Sequence, residues 1–280
     1  NINVTDDTSD NTFIINGYNF KKGADLSNVN LSGADLSGFN LTGHELSGAD
    51  LSNSKLNDVN LTSTRLNNAD LSGADLSFAN LTSTTLQNAN LTGANLTNAS
   101  STGLSLTGAN LTNAILDWAD LSGANINNAI LTGVSYEGAN LINTNFGWSD
   151  LSNGNLEGQN LSGTIFSKTD ISNANLSGAN LSGANLTDAN LSNTILSGAN
   201  LAGAIYGDNL TQAQIDSSSS TESIIVNGYN FEPGVRIRTD NSDGDLMITD
   251  LSNSNLVEAN LVNSEFQLVN LSGANLRGAD

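Results

Sequence analysis

The chain contains no cysteine, one proline (Pro233), one histidine (His44) and one methionine (Met247) in 280 residues. Without cysteine there is no disulfide framework and no thiolate chemistry, and cysteine usage assigns no redox compartment. Basic residues are scarce too: eight Lys and Arg stand against 28 Asp and Glu, a formal net charge of −20. Such a surface repels nucleic acid and anionic membrane, so neither is an expected direct partner. It suits a cation, a basic protein partner or plain solubility. Long apolar runs are also missing. A stretch such as Ile224-Ile225-Val226 is strand-sized, far short of the ~20 residues that cross a bilayer. No Ser-His-Asp set, Cys-His pair or phosphate-cradling glycine loop is present, so the sequence does not read as an enzyme.

What remains is strongly periodic. From Leu26 to Tyr206 every fifth residue is Leu, Ile, Phe or Tyr, apart from Ser101, giving 37 consecutive units. Two residues before each centre sits a small residue, most often Ala. Asn or Asp usually lies between them; Ser or Thr, then Gly or Asn, follow. Ala34-Asp35-Leu36-Ser37-Gly38 and Ala179-Asn180-Leu181-Ser182-Gly183 are examples. Five matches neither the helical period of about 3.6 nor the strand period of 2. Within a unit, however, the small residue and the Leu are two apart and share one side of extended backbone. The Asn or Asp between them points outward, and the pair that follows has turn chemistry. Each unit is a short strand and a corner. None can bury its Leu alone, so the chain must coil and stack its coils at about 4.8 Å. The expected interior is a column of centres that includes Leu26, Leu36, Leu76, Phe146, Phe166 and Leu181.

This A-(D/N)-L-x-x pattern resembles the pentapeptide repeat family over nearly the whole chain. The resemblance implies an all-β fold, a right-handed quadrilateral β-helix with four pentapeptides per 20-residue coil.

The organisation reads as two cap-plus-solenoid modules. Ile14-Ile15-Asn16-Gly17-Tyr18-Asn19-Phe20 recurs as Ile225-Val226-Asn227-Gly228-Tyr229-Asn230-Phe231. Such a duplicated non-repeat strand is expected to cover a raw coil edge. The expected divisions are 1–23 N-terminal segment and cap, 24–206 solenoid, 207–221 short helix and Ser-rich linker, 222–245 second cap with an acidic loop, and 246–280 second solenoid. Thr211 and Gln214 have the spacing of a capping box for that helix. Seven units run from Leu246 to Leu276, and the pattern reaches Asp280 in mid-unit, as expected of a rod that continues in a longer chain.

Departures from the pattern are the candidate sites. Ser101 takes a core Leu position while Leu104 takes a small-residue position, which reads as a volume swap. His44 occupies an inward small-residue position beside Phe39, which reads as a wider first coil. Asp240, Asp243 and Asp245, around Gly244, are candidate Ca²⁺ ligands through oxygen, with Asp6, Asp7 and Asp10 a fainter version; no other cofactor is implied. Asp50 above Asp70 and Asp150 above Asp170 would stack like charges unless a cation bridges them. Phe78, Trp118 and Trp148 stand at corners that normally hold Gly or Asn, and Ile115, Ile165, Ile195 and Ile205 stand where Asn or Asp belongs. Apolar residues outside a rod suggest a contacting neighbour.

The expected function is a non-catalytic structural or protein-interaction module. It would serve a larger bacterial assembly, extracellular or at the cell surface, with copies of itself or another protein as partner. The resemblance also suggests a cyanobacterial source, and as an alternative a DNA mimic that binds DNA gyrase. A DNA mimic needs a continuous negative surface. Between 24 and 206 the chain carries 14 acidic and 3 basic residues among mostly neutral outward Asn. We therefore expect no change in gyrase supercoiling at excess protein; inhibition there would restore the DNA-mimic reading.

Overall fold

In the computed structural model the described residues are 24–206 without a break, 17–21, strands β1 (Thr5–Asp7), β2 (Thr12–Ile15) and β3 (Tyr18–Asn19), single positions Leu210, Gln214 and Ser218, and five two-residue strands beyond 224. From residue 24 to 204 every unit repeats one bridge-and-turn pattern. The bridges join residues 20 apart in parallel, as in Asn40 with Asn60 and Asn60 with Asn80. Four five-residue units therefore make one coil.

The unit 51–55 shows why the coil closes. Leu51 donates its N–H to the Asp70 carbonyl of the next coil (2.7 Å), and Asn53 donates to Ser72 (2.8 Å). Lys55 donates to Ala34 of the preceding coil (2.8 Å). Ser54 closes the turn onto the Leu51 carbonyl (3.1 Å). The N–H left over, that of Ser52, reaches no other coil; it donates to Asp50 Oδ1 (3.0 Å). All five donors have partners, the condition that buried backbone must meet.

The interior follows from this stacking. Leu26, Leu36, Leu76, Phe146, Phe166 and Leu181 are all buried in one continuous core with Ala and Thr between them. Phe146 and Phe166, one coil apart, stack at 5.3 Å between centroids with planes 5° apart. Where Thr or Ser replaces Ala inside, its hydroxyl is not orphaned. Thr64 Oγ1 donates to the Leu41 carbonyl and Thr84 Oγ1 to that of Leu61, both at 2.7 Å. Tyr206 is a buried centre, and loss of hydration pushes its phenol up to about 12.

Both ends of the 24–206 rod carry hairpins. At the start β1 pairs antiparallel with β2, and β2 with β3. At the other end β4 (Ile205–Tyr206) pairs in parallel with β5 (Ile225–Val226), which pairs antiparallel with β6 (Tyr229–Asn230). Ile205 and Ile225 are also 20 apart, so β5 keeps the coil register of the rod. Gln214 Nε2 donates to the Leu191 and Thr194 carbonyls (2.8 and 3.0 Å). Farther on, β7 (Ile237–Arg238) lies in parallel between β8 (Leu246–Met247) and β9 (Phe266–Gln267). Thr211 of the expected helix, the remaining linker residues and the side chains of 246–280 lie outside the described residues.

Ser101 and Leu104 are both buried. The Ser101 hydroxyl donates to the Asp120 carbonyl, the acceptor that a centre's N–H takes in ordinary units. Leu104→Ala alone should cost about 2–5 kcal/mol through the cavity it leaves. Ser101→Leu alone should cost about 1–3 kcal/mol through overpacking. If the two positions share one volume, the double variant should unfold at a denaturant midpoint equal to or above that of the natural chain. Additive penalties in guanidinium unfolding followed by circular dichroism would refute the shared volume.

Candidate interaction surface

The outward Asn and Asp residues build the surface and also shape it. Asn40 Oδ1 accepts from Thr42 N–H (3.1 Å) and Thr42 Oγ1 (2.6 Å). The same pair of bonds recurs at Asn60–Thr62, Asn90–Thr92 and Asn175–Ser177. Each is a local turn in which the side chain takes the place of a backbone acceptor. Amide N–H groups then link coils: Asn180 Nδ2 donates to Asn160 Oδ1, and Asn200 Nδ2 to Asn180 Oδ1, both at 3.1 Å. The turn role escaped the sequence reading, although Asn or Asp two residues before Ser or Thr is its signal.

Acidic residues enter the same turns. Asp50, Asp70, Asp150 and Asp170 each accept the N–H two residues on, and Asn90 and Asn190 donate to Asp70 and Asp170 at 3.0 Å. Their bridged partners are Asp50 with Asp70 and Asp150 with Asp170. Among the described residues no group of three or more His, Cys, Asp or Glu side chains could hold a metal ion. Asp240, Asp243 and Asp245, and also Asp10, lie outside the described residues. Ser37 bonds, followed by the Lys55 ammonium, hold the Asp35 carboxyl below its ordinary range, and Ser47 chiefly does so for Glu45. The pairs Lys55–Asp35 (3.2 Å) and Arg65–Glu45 (3.4 Å) are exposed and are worth well under ~1 kcal/mol.

His44 is buried against Phe20, with ring centroids 6.3 Å apart. Among the described residues neither ring nitrogen has a hydrogen-bond partner.

The exposed apolar residues are where the rod departs from its own chemistry. Phe78, Trp118 and Trp148 are each 60% exposed, with φ of 59°, 60° and 64°. Left-handed backbone suits Gly and Asn and costs a bulky residue about 1–2 kcal/mol. Trp148 lies under Lys168, whose Nζ is 4.4 Å from the ring centroid. Trp118 lies along the rod over the next corner: a Cβ at Gly138 would meet its ring at 2.5 Å. Ile115 and Ile195 are exposed on one column, and Ile165 and Ile205 on another. Ile130, also exposed, was missed from the sequence, although it too replaces Asn or Asp.

A family model for pentapeptide repeats matches eight times, at residues 22–43, 45–82, 60–98, 74–113, 102–135, 139–178, 174–205 and 245–280. The chain belongs to the pentapeptide repeat family. Among solved structures, HetL from the cyanobacterium Nostoc, involved in heterocyst differentiation regulation, is 31% identical; the match covers 75% of this chain and 94% of HetL, with a TM-score of 0.29. QnrB1, a plasmid-mediated fluoroquinolone resistance protein, is 20% identical over 69% of this chain and 98% of its own, with a TM-score of 0.31. Rfr23 from the cyanobacterium Cyanothece is 28% identical over 44% and 84%, with a TM-score of 0.19. These TM-scores are low, and membership rests on the repeat matches. No curated protein matches the chain.

In a pentapeptide corner, Gly should outperform an aromatic residue unless the ring contributes packing energy. Phe78→Gly should therefore raise the thermal midpoint of the isolated chain by about 2–4 °C. A lowered midpoint in a calorimetric scan would show that the ring stabilises the rod itself.

Proposed function

We propose that this chain is a non-catalytic structural and protein-interaction solenoid, a rigid module of a larger bacterial assembly at or outside the cell surface. On this reading the rod is a right-handed quadrilateral β-helix in two cap-plus-solenoid modules, and cyanobacteria are the natural source to examine. The observation that carries the reading is the set of three large aromatics held outside the rod, at backbone angles that Gly or Asn would occupy without strain. Within an isolated rod these rings have no core to fill, and a contacting protein supplies the missing burial. The polar surface supports the same view. Its Asn, Asp, Ser and Thr groups are engaged in corners and ladders rather than converging on one point. Copies of the chain itself are the simplest partner, because a symmetric contact buries the same exposed rings on both subunits.

Native mass spectrometry of the protein isolated from its source cells tests this. We expect species well above the 28.9 kDa of the chain, reduced by Trp148→Gly or Phe78→Gly. A lone monomer at every concentration would overturn the assembly.

A further inference from the structure

The coil-to-coil ladder has one interruption among the described residues from Asp25 to Ile205. Parallel bridges join Ile130 to Asp150 and Asn145 to Ile165, but none joins Ser135 to Asn155 or Asn140 to Asn160. The N–H groups of Gly133, Tyr136, Gly138, Leu141, Asn155 and Asn160 accordingly lack the backbone acceptors that the same positions have in neighbouring coils. Two large residues meet at the interruption. Tyr136 occupies a centre that is Leu in most units and is buried there, and Gln159 stands at an inward position that is usually small. The centres Phe146 and Phe166 keep their ladder bonds, so an aromatic centre alone does not open the coils. Gln159 spans the separation. Thr144 and Thr169, at equivalent inward positions, reach the coil before with a hydroxyl. At 159 the longer amide makes that bond, Nε2 donating to the Tyr136 carbonyl at 2.8 Å.

The separation leaves an opening of about 400 Å³ lined by Ser135, Tyr136, Glu137, Asn155, Glu157 and Gln159, with Gly133 and Val134 behind them. Tyr136 keeps its phenolic oxygen buried with no hydrogen-bond partner. Glu137 and Glu157 form the two lips, one coil apart. Asp117 continues the acidic column one coil earlier and accepts from Glu137 N–H at 3.0 Å. The Trp118 ring lies across Gly138, the residue that follows Glu137. No Lys, Arg or His occurs between Arg65 and Lys168.

We propose that this opening is a docking site for an extended basic segment of a partner protein, seated by an arginine side chain between Glu137 and Glu157 and against Trp118. The proposal rests on the reading of the rod as an interaction module. The chemistry selects the occupant. Two carboxylates about one coil apart suit the planar fork of a guanidinium, which also stacks on indole faces. Trp148 already accepts a cation in this way from Lys168. The freed edges present both N–H donors and carbonyl acceptors, which an extended peptide backbone matches. A polyamine supplies donors alone.

The test is binding of a fluorescein-labelled heptapeptide, Gly-Leu-Arg-Leu-Arg-Leu-Gly, to the intact chain, followed by anisotropy and hydrogen exchange. We expect saturable binding that slows exchange in 133–141 and 153–160. Glu137→Gln/Glu157→Gln and Trp118→Gly should each weaken it at least tenfold, and Trp148→Gly should leave it unchanged. Tyr136→Leu restores the common centre and should close the opening, protect those amides without peptide and abolish binding. Equal binding to all variants, or no saturation, would overturn the site. Displacement by spermidine as effectively as by unlabelled peptide would overturn the protein segment as occupant. These outcomes are separate from the assembly test: a monomeric protein that binds the peptide in this way loses the assembly but keeps the site.

Discussion

The hydrogen bonds between residues 20 apart are the constraint to which everything else in this protein conforms. A pentapeptide has no hydrogen-bonding partner within itself except across its own corner, as Ser54 has in Leu51. Its other backbone groups must be met by the coils on either side, at a separation near 4.8 Å. Stability is then a property of neighbouring coils. Each centre must fit a slot whose height the backbone has already fixed, which explains the dominance of Leu with Ala opposite. At Ser101 the hydroxyl takes the Asp120 carbonyl that a centre's N–H takes in ordinary units, with Leu104 buried in the same coil.

The same constraint dictates the surface. One N–H per unit faces a corner that no other coil's backbone reaches, and in most units the outward Asn or Asp accepts it, as Asp50 does from Ser52. This makes the outward position chemically demanding, although it is solvated. A carboxylate serves as well as an amide there, and its charge is incidental to the turn. Much of the net charge of −20 is consistent with that origin. Ile115, Ile130, Ile165 and Ile195 forgo the turn acceptor altogether, so their presence needs another reason, and burial against a partner provides one.

The legible and illegible features divide along physical lines. The five-residue period exposed the core, because centres and small residues alternate in space as in sequence. The count of four units per coil was not accessible from periodicity; it is a geometric closure that only the bridges reveal. The repeated segment at 225–231 stood out in the sequence, but the parallel pairing of Ile225–Val226 with Ile205–Tyr206 spans an 18-residue gap that no local signal bridges. Trp118 and Ile115 stood out as misplaced apolar residues. Tyr136 did not, because an aromatic centre satisfies the hydrophobic pattern, as Phe146 and Phe166 do. Glu137 and Glu157 passed as ordinary corner residues for the same reason: their meaning depends on the separation of two coils, which sequence does not record.

A rod so fully bonded to itself has few places from which to act. Along the regular coils most backbone donors are met and many polar side chains are engaged in turns and ladders, so contact there offers a partner chiefly shape and solvated charge. Free bonding capacity arises where the 20-residue register ends or is forced open. The ends are the first such place, and hairpins stand at both ends of the rod at 24–206. The coils around Tyr136 are the second. A residue that weakened the rod without compensation would be a poor occupant of that slot, yet Gln159 is fitted to the wider gap and Gly138 leaves room for Trp118 to lie flat. Those adjustments stabilise an opened state rather than closing it. In a molecule built from one repeated bond pattern, the place where the pattern is broken and then supported is the place with chemistry left to offer.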